Sequence, residues 1–239
     1  MRNLLVVVDV QNDFDIGNEN GAWKFVQKTQ EVTLSEYRNG DMIPIGAFYV
    51  DDFSFSKNIA SFKLIDGVGL MDKYTFYGGR IYENETAGAI LQEVFAAAGV
   101  TKYSIADEVA EIRLSGYLGI QTCRKTLQRV CFACGAVADD SRSDTIKVYK
   151  PDRYVSSTVG LNRKFNGNSK VALDKYVSGV SIECKNYTLE DQTSDIYKGS
   201  LQAGDTRITF SGPYLPDSVT ATAGTIKAVK TNYMIIHMD

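Results

Sequence analysis

Histidine, cysteine and long apolar runs are all scarce in this chain of 239 residues. One histidine and four cysteines give no reason to expect a transition-metal site, which needs several nitrogen or sulfur ligands close together. No stretch approaches the roughly 18 consecutive apolar residues of a membrane helix. The longest apolar run near the start, residues 4–8, is too short for a signal-peptide core. We therefore expect no metal, no cofactor and no membrane span.

An excess of charge of one sign is missing as well. The 26 basic and 29 acidic residues leave a net charge of −3. Because there is no broad basic field, we do not expect nucleic acid as the main partner. Apolar residues make up 44% of the chain, which is ordinary for a globular protein and too many for a disordered one.

Proline and tryptophan are rare, at four and one, whereas there are 14 tyrosines and 11 phenylalanines. Aromatic and β-branched side chains suit the half-buried surfaces of sheets. Alternating patterns between turn residues predict strands in both halves of the chain. They cover residues 3–10, 31–37, 47–55, 59–65, 136–138, 145–149, 177–187, 196–201, 206–210, 219–222, 225–229 and 233–238.

Two stretches in the middle follow a helical period. Apolar residues recur three and four positions apart over residues 86–98 and 123–134. Asn84 is placed to cap the first helix, and Thr122 and Gly135 are placed to cap the second. In the second helix Leu127, Val130, Cys131 and Cys134 define an apolar face, and Arg124, Lys125, Gln128 and Arg129 define a polar one.

The layout predicts a strand-dominated α+β fold, with two short helices in the middle and an all-β C-terminal part. Strands 47–55 and 59–65 should form a hairpin with a bulge or a twist near Asp51 and Asp52. The composition shifts near residues 150–175, where residues 151–170 form a loop or linker. We therefore predict an α+β domain over residues 1–150 and an all-β domain over residues 151–239.

Three short motifs have a structural interpretation that outweighs the chemical one. Cys131 and Cys134 form a CxxC, but no second CxxC and no nearby histidine completes a zinc site. Gly78-Gly79 lacks the further glycines and the lysine of a phosphate-binding loop, and predicts a tight turn. The acidic pairs Asp51-Asp52 and Asp139-Asp140 lack the spacing of a calcium loop, and predict solvated loops.

Residues 8–14, VDVQNDF, resemble the opening motif of the isochorismatase and nicotinamidase hydrolases. The resemblance implies that Asp9 acts with a lysine, Lys73 or Lys102, and with Cys123 as a thiolate nucleophile. Cys123 lies at the start of a predicted helix, where the helix dipole would lower its pKa.

Other features of the sequence speak against this hydrolase. That family alternates strands with helices, whereas residues 25–66 predict strands without a crossover helix. Its histidine-containing metal motif has no counterpart, because His237 is the only histidine. The cysteine hydrolase therefore stays as the alternative function.

A second resemblance extends over most of the chain. In its central part a helix with an Arg-x-x-Leu-Gln core is followed by a glycine turn, a strand, a Ser-Arg-Ser-Asp loop and another strand. The segments are LSGYL at 114–118, TCRKTLQRV at 122–130, FACGAV at 132–137, SRSD at 141–144 and IKVY at 146–149. Further segments fit at 9–14, 18–25, 45–50, 76–79, 187–188, 197–199 and 208–210 and at Pro213. Together they resemble structural tail proteins, of hub or baseplate type, from phages and prophages of Gram-positive bacteria.

This resemblance implies a non-enzymatic scaffold that assembles with copies of itself and with other tail proteins. It carries over no catalytic, cofactor-binding or metal-binding residue. The expected location is the virion tail, after assembly in the cytoplasm of the host bacterium. Sheet edges and the aromatic residues Phe53, Phe55, Tyr74 and Tyr77 are the predicted contact regions. A carbohydrate-binding module at the tail tip remains a further alternative, because exposed aromatic rings on one face would also suit a glycan.

Overall fold

The structure is a computed structural model of the chain. It describes residues 6–9, 27–38, 41–56, 59–141, 143–151, 178–179, 181 and 193–239. The predicted loop or linker at residues 151–170 falls almost wholly outside this set, and so does most of the predicted strand at residues 177–187.

Contacts within the chain define two units. One joins Met1–Lys150 with Ser194–Asp239, and the other is Pro151–Thr193, of which few residues are described. The division into a domain over residues 1–150 and a second over residues 151–239 stays a prediction.

The first sheet has four antiparallel strands in chain order. They are β1 (Val6–Asp9), β2 (Glu31–Arg38), β3 (Asp41–Ser56) and β4 (Ile59–Ile65). The pairing of β3 with β4 passes from Val50 opposite Leu64 to Asp52 opposite Lys63, which leaves Asp51 unpaired. The predicted bulge is therefore confirmed. The core of this sheet is small, with buried Val32 and Val50 and a few partly buried neighbours.

The middle of the chain holds the helices and several short strands. In order they are α1 (Gly67–Leu70), a 3-10 turn (Met71–Lys73), β5 (Thr75–Phe76), β6 (Ile81–Thr86), α2 (Ala87–Ala97), β7 (Tyr103–Ile105), α3 (Asp107–Ala110), β8 (Arg113–Tyr117), β9 (Gln121–Thr122), α4 (Cys123–Cys134), β10 (Val137–Asp139) and β11 (Ile146–Tyr149). Strand β11 pairs antiparallel with β10 and parallel with β7. Strands β5 and β9 form an antiparallel pair, as do β6 and β8.

Both predicted helices are confirmed. Helix α4 begins after Thr122, whose hydroxyl accepts a hydrogen bond from the Lys125 N–H at 3.3 Å. It ends at Gly135, which adopts the left-handed conformation. Helix α2 is capped by Thr86, and the predicted cap at Asn84 is wrong because Asn84 lies two residues earlier, within β6. Within the described residues, no helix is long and apolar enough to cross a membrane.

Helices α2 and α4 enclose the largest core. Their buried positions are those that the apolar spacing predicted: Ile90, Leu91, Val94 and Phe95 from α2, and Leu127, Val130, Cys131 and Cys134 from α4. The Phe95 ring stacks on Tyr103 of β7, with 4.4 Å between ring centroids. Met71, Phe76 and Tyr82 close the core from the side of the short strands.

The C-terminal part is a three-stranded antiparallel sheet with a 3-10 turn, Pro216–Ser218, between two of its strands. Its strands are β12 (Gly204–Thr209), β13 (Thr225–Val229) and β14 (Tyr233–Met238), with β14 in the centre. The fold is thus α+β and strand-dominated, as predicted.

Two predicted strands in the C-terminal part, at residues 196–201 and 219–222, are wrong. Their apolar residues Ile196, Leu201 and Val219 pack from irregular segments onto the core of the C-terminal sheet. Burial of these side chains accounts for the apolar pattern without any strand pairing.

Candidate functional site

The thiol of Cys123 is fully buried at the start of α4. Its backbone N–H donates to the Tyr74 carbonyl at 2.9 Å. This bond holds the start of α4 against the residue that precedes β5. Burial raises the pKa of the Cys123 thiol. This direction is opposite to the one that a thiolate nucleophile requires, and the predicted lowering of the pKa is wrong.

The other residues of the hydrolase hypothesis occupy structural positions. Asp9 lies at the end of β1, opposite Thr33 in an antiparallel pairing. Lys73 forms an ion pair with Asp51 at 2.6 Å. Lys102 forms one with Asp144 at 3.0 Å. Both lysines are therefore engaged with carboxylates of the fold.

The CxxC motif lies within the last turns of α4. Cys131 and Cys134 are buried free thiols, and burial raises the pKa of Cys131 to about 11. Among the residues that the structure describes, no group of three or more histidine, cysteine or acidic residues is arranged to hold a metal ion. Cys184, the fourth cysteine, lies outside the described residues.

The first acidic pair is neutralised by lysines. Asp51 accepts from Lys63 and Lys73 at 2.7 and 2.6 Å, and these bonds lower its pKa to about 2. Asp52 pairs with Lys28 at 3.2 Å. These contacts fix the bulge of β3 and leave little reason for a calcium ion there.

Gly78-Gly79 lies in the connection between β5 and β6, in contact with the residues that precede β14. Both glycines have positive φ, and a Cβ at Gly78 would lie 2.6 Å from the Leu118 carbonyl oxygen. The Thr231 hydroxyl donates to the Gly79 carbonyl at 2.6 Å, and the Asn232 amide donates to the Tyr77 carbonyl. The motif therefore joins two parts of the fold.

The aromatic residues predicted as contact regions are dispersed. Tyr74 and Tyr77 are 37% and 36% exposed, but the Arg207 guanidinium lies 4.1 Å from the Tyr77 ring centroid. Phe53 packs against the small core of the first sheet, and the side chain of Phe55 is outside the described set. Their role in contacts stays a prediction.

The sequence reasoning missed Phe132, which is 80% exposed and the most exposed large apolar residue in the described part of the chain. It stands on the outer face of α4, beside a groove of about 730 Å³. The groove lies between β3, α4 and β10, and its apolar lining includes Ile45, Phe48, Val68 and Leu127. An aromatic residue one turn after Arg129, on the polar face of the predicted helix, is the signal that could have found it.

Three carboxylates, Asp66, Asp139 and Asp140, line one side of this groove. Asp140 accepts from the Val68 N–H at 3.1 Å, and burial, with Asp66 close by, raises its pKa. Asp66 caps α1, and Asp139 accepts from Ser141. None of the three forms an ion pair with another described residue. The groove is therefore lined mainly by apolar side chains, with the three carboxylates as an acidic rim and with Arg124, which pairs with Asp72, as a basic lining residue.

The similarity of this chain to known proteins is found in its structure. No family model matches the chain, and no curated protein matches it. Among solved structures, the chain is similar to the 43 kDa tail protein of prophage MuSo2 from Shewanella oneidensis, with 17% identity and a TM-score of 0.38. The match covers 55% of this chain and 41% of that protein, so the chain spans about two fifths of its length.

Proposed function

We propose that this chain is a structural component of a phage or prophage tail, of hub or baseplate type. It acts by assembling with copies of itself and with other tail proteins, and not by catalysis. The observation that carries the proposal is the open groove beside α4, where Phe132 is exposed to solvent and three carboxylates form no ion pair with a described residue. An exposed apolar surface of this kind is typical of a protein–protein interaction site.

The order of elements in the middle of the chain supports the proposal. The tail-protein resemblance implies a helix, a glycine turn, a strand, a polar loop and another strand. In the structure α4 is followed by Gly135, β10, a polar loop and β11 in that order. These segments also form one rim of the groove, because residues of α4 and β10 line it together.

The chemistry of the described side chains favours a scaffold over an enzyme. Cys123, Cys131 and Cys134 have raised pKa values, and the lysines of the hydrolase hypothesis are held in ion pairs. The proposed location is the virion tail, after assembly in the cytoplasm of the host. The sequence resemblance favours a Gram-positive host.

Purified particles provide the test. Prophages are induced in the bacterium that encodes the chain, and the particles are banded on a density gradient. Mass spectrometry of the band should detect this chain with the other tail proteins, and gold-labelled antibodies should mark one end of the tail in electron micrographs. Particles that contain the other tail proteins but not this chain would contradict the proposal.

A further inference from the structure

The outer face of α4 and the groove beside it carry opposite charges. Lys125 and Arg129 are exposed on the helix, on the same face as Phe132 and two turns and one turn before it, respectively. Asp66, Asp139 and Asp140 line the groove. We call these residues, with the apolar lining of the groove, the α4 surface.

Within the described residues, the charged side chains of the α4 surface lie near opposite charges but form no ion pairs. Lys125 and Arg129 form no ion pair there, and neither do the three carboxylates. Arg124, by contrast, lies on the same helix and pairs with Asp72 at 2.8 Å. Asp51 and Asp205 likewise have basic partners.

A surface with one basic and one acidic side is complementary to a second copy of itself. In a two-fold contact, a residue on one side of the patch meets a residue from the other side of the partner's patch. The basic face of one α4 would then lie against the acidic rim of the partner's groove. Phe132, at the boundary between the two sides, would be carried into the apolar part of the partner's groove.

We infer that the α4 surface is a two-fold contact between two copies of this chain, in which Arg129 faces the Asp139 rim of the other copy and Phe132 enters its groove. The inference rests on the proposed function, because it names the partner in one of the assembly contacts.

The burial of α4 residues shows why this face is available. Cys123, Leu127, Val130 and Cys134 are buried within the chain's own core. The outer residues Gln128, Arg129 and Phe132 take no part in that core. Changes to the outer residues should therefore alter association and leave the fold intact.

Charge reversal tests the inference. The wild-type chain, measured by sedimentation velocity and native mass spectrometry from dilute to concentrated solution, should form a dimer. Arg129→Glu should raise the dissociation constant by about tenfold or more, and Asp139→Lys should do the same. Lys198→Glu, the same charge change at an exposed loop residue outside the α4 surface, should leave it unchanged.

Mixing the two variants separates a specific contact from a general charge effect. The Arg129→Glu chain and the Asp139→Lys chain, each weakened alone, should form a mixed dimer, because both pairs of facing charges are again opposite. Thermal unfolding of each variant verifies that it is folded, and Asp139→Asn removes the charge while keeping an acceptor for the Ser141 N–H.

Three results would overturn the inference: a wild-type chain that stays monomeric at every concentration, association that Arg129→Glu does not weaken, or variants that fail to pair when mixed. The particle experiment is independent of all three. A chain that is present in tails but lacks this dimer would keep the proposed function and remove the two-fold contact.

Discussion

Helix α4 borders two regions, of which one is filled by side chains of the chain itself and the other is open to solvent. On its inner side the apolar face meets α2 and the short strands, and the chain's own side chains fill the space. On its outer side lies a groove of about 730 Å³ with an exposed phenylalanine at its edge. Apolar side chains line both regions, so apolar lining alone does not show which region the chain can close by itself. The difference indicates that the inner side holds the fold together, while the outer side is available to another chain.

The largest expected effect is the loss of stability when a phenylalanine is removed from the inner side of α4, compared with the outer side. Phe95→Ala, in the closed region, removes a ring that is fully buried and stacked on Tyr103. It should lower the free energy of unfolding by about 3–5 kcal/mol. The matched change Phe132→Ala, on the open side, should alter it by about 0.5 kcal/mol or less in dilute solution. Urea unfolding followed by circular dichroism measures both, and equal losses would remove the distinction.

The next effect concerns the connection between β5 and β6, which contains Gly78. Gly78 and Gly99 both have φ near +65°, but only Gly78 has a carbonyl oxygen within 3 Å of where a Cβ would be placed. Gly78→Ala should therefore destabilise the chain by about 1–3 kcal/mol more than Gly99→Ala. Chemical denaturation of the two variants provides the comparison. If both variants lose the same free energy of unfolding, the close approach of the Leu118 carbonyl to Gly78 does not restrict the side chain at this position.

A smaller effect is expected at the start of α4, which both regions share. Thr122→Ala removes the hydroxyl that caps the helix and should destabilise the chain by about 1 kcal/mol. Thr101→Ala, at an exposed position in a loop, is the control and should have an effect of about a few tenths of a kcal/mol. Melting temperatures that fall equally for both variants would show that the cap contributes nothing particular.

The smallest expected effect is that of Asp140→Asn, which should stabilise the fold of the isolated chain but weaken its association. Because the pKa of Asp140 is raised above 3.8 in the folded chain, the free energy of unfolding falls as the pH rises from that value through the higher folded pKa. Asp140→Asn removes this loss and keeps an acceptor for the Val68 N–H. Near neutral pH it should stabilise the isolated chain by no more than about 1 kcal/mol, because the carboxyl is only partly buried.

The same Asp140→Asn variant should weaken the dimer, because it removes one of the charges on the acidic rim. Unfolding curves at pH 7 and sedimentation of the same sample test both signs. A variant that loses stability at pH 7, or that associates as strongly as the wild type, would contradict this interpretation of Asp140.

Local signals predicted those parts of the fold that depend on neighbouring residues. Thr122 and Gly135 mark the ends of α4 because capping is decided within one turn of the helix. The change of phase at Asp51 revealed the bulge in β3 for the same reason. Strands of two or three residues, such as β5 and β9, escaped prediction because a partner distant in the sequence creates them.

The candidate site was less accessible to sequence reasoning. The groove is assembled from β3, α4 and β10, whose packing no local pattern specifies. Cys123 was predicted to be reactive from its position at a helix start, but burial decided its pKa. Phe132 did carry a signal, as an aromatic residue on a polar helix face, and only the structure showed that it borders an open groove.

The most direct measurement is hydroxyl-radical footprinting of the Phe132 side chain, read by mass spectrometry in dilute and in concentrated solution. The account predicts that Phe132 is oxidised readily when the chain is dilute and is protected when it associates. Tyr74, which is exposed but lies outside the α4 surface, should react alike in both samples. Equal oxidation of Phe132 in the two samples, with association verified by mass, would show that another face makes the contact.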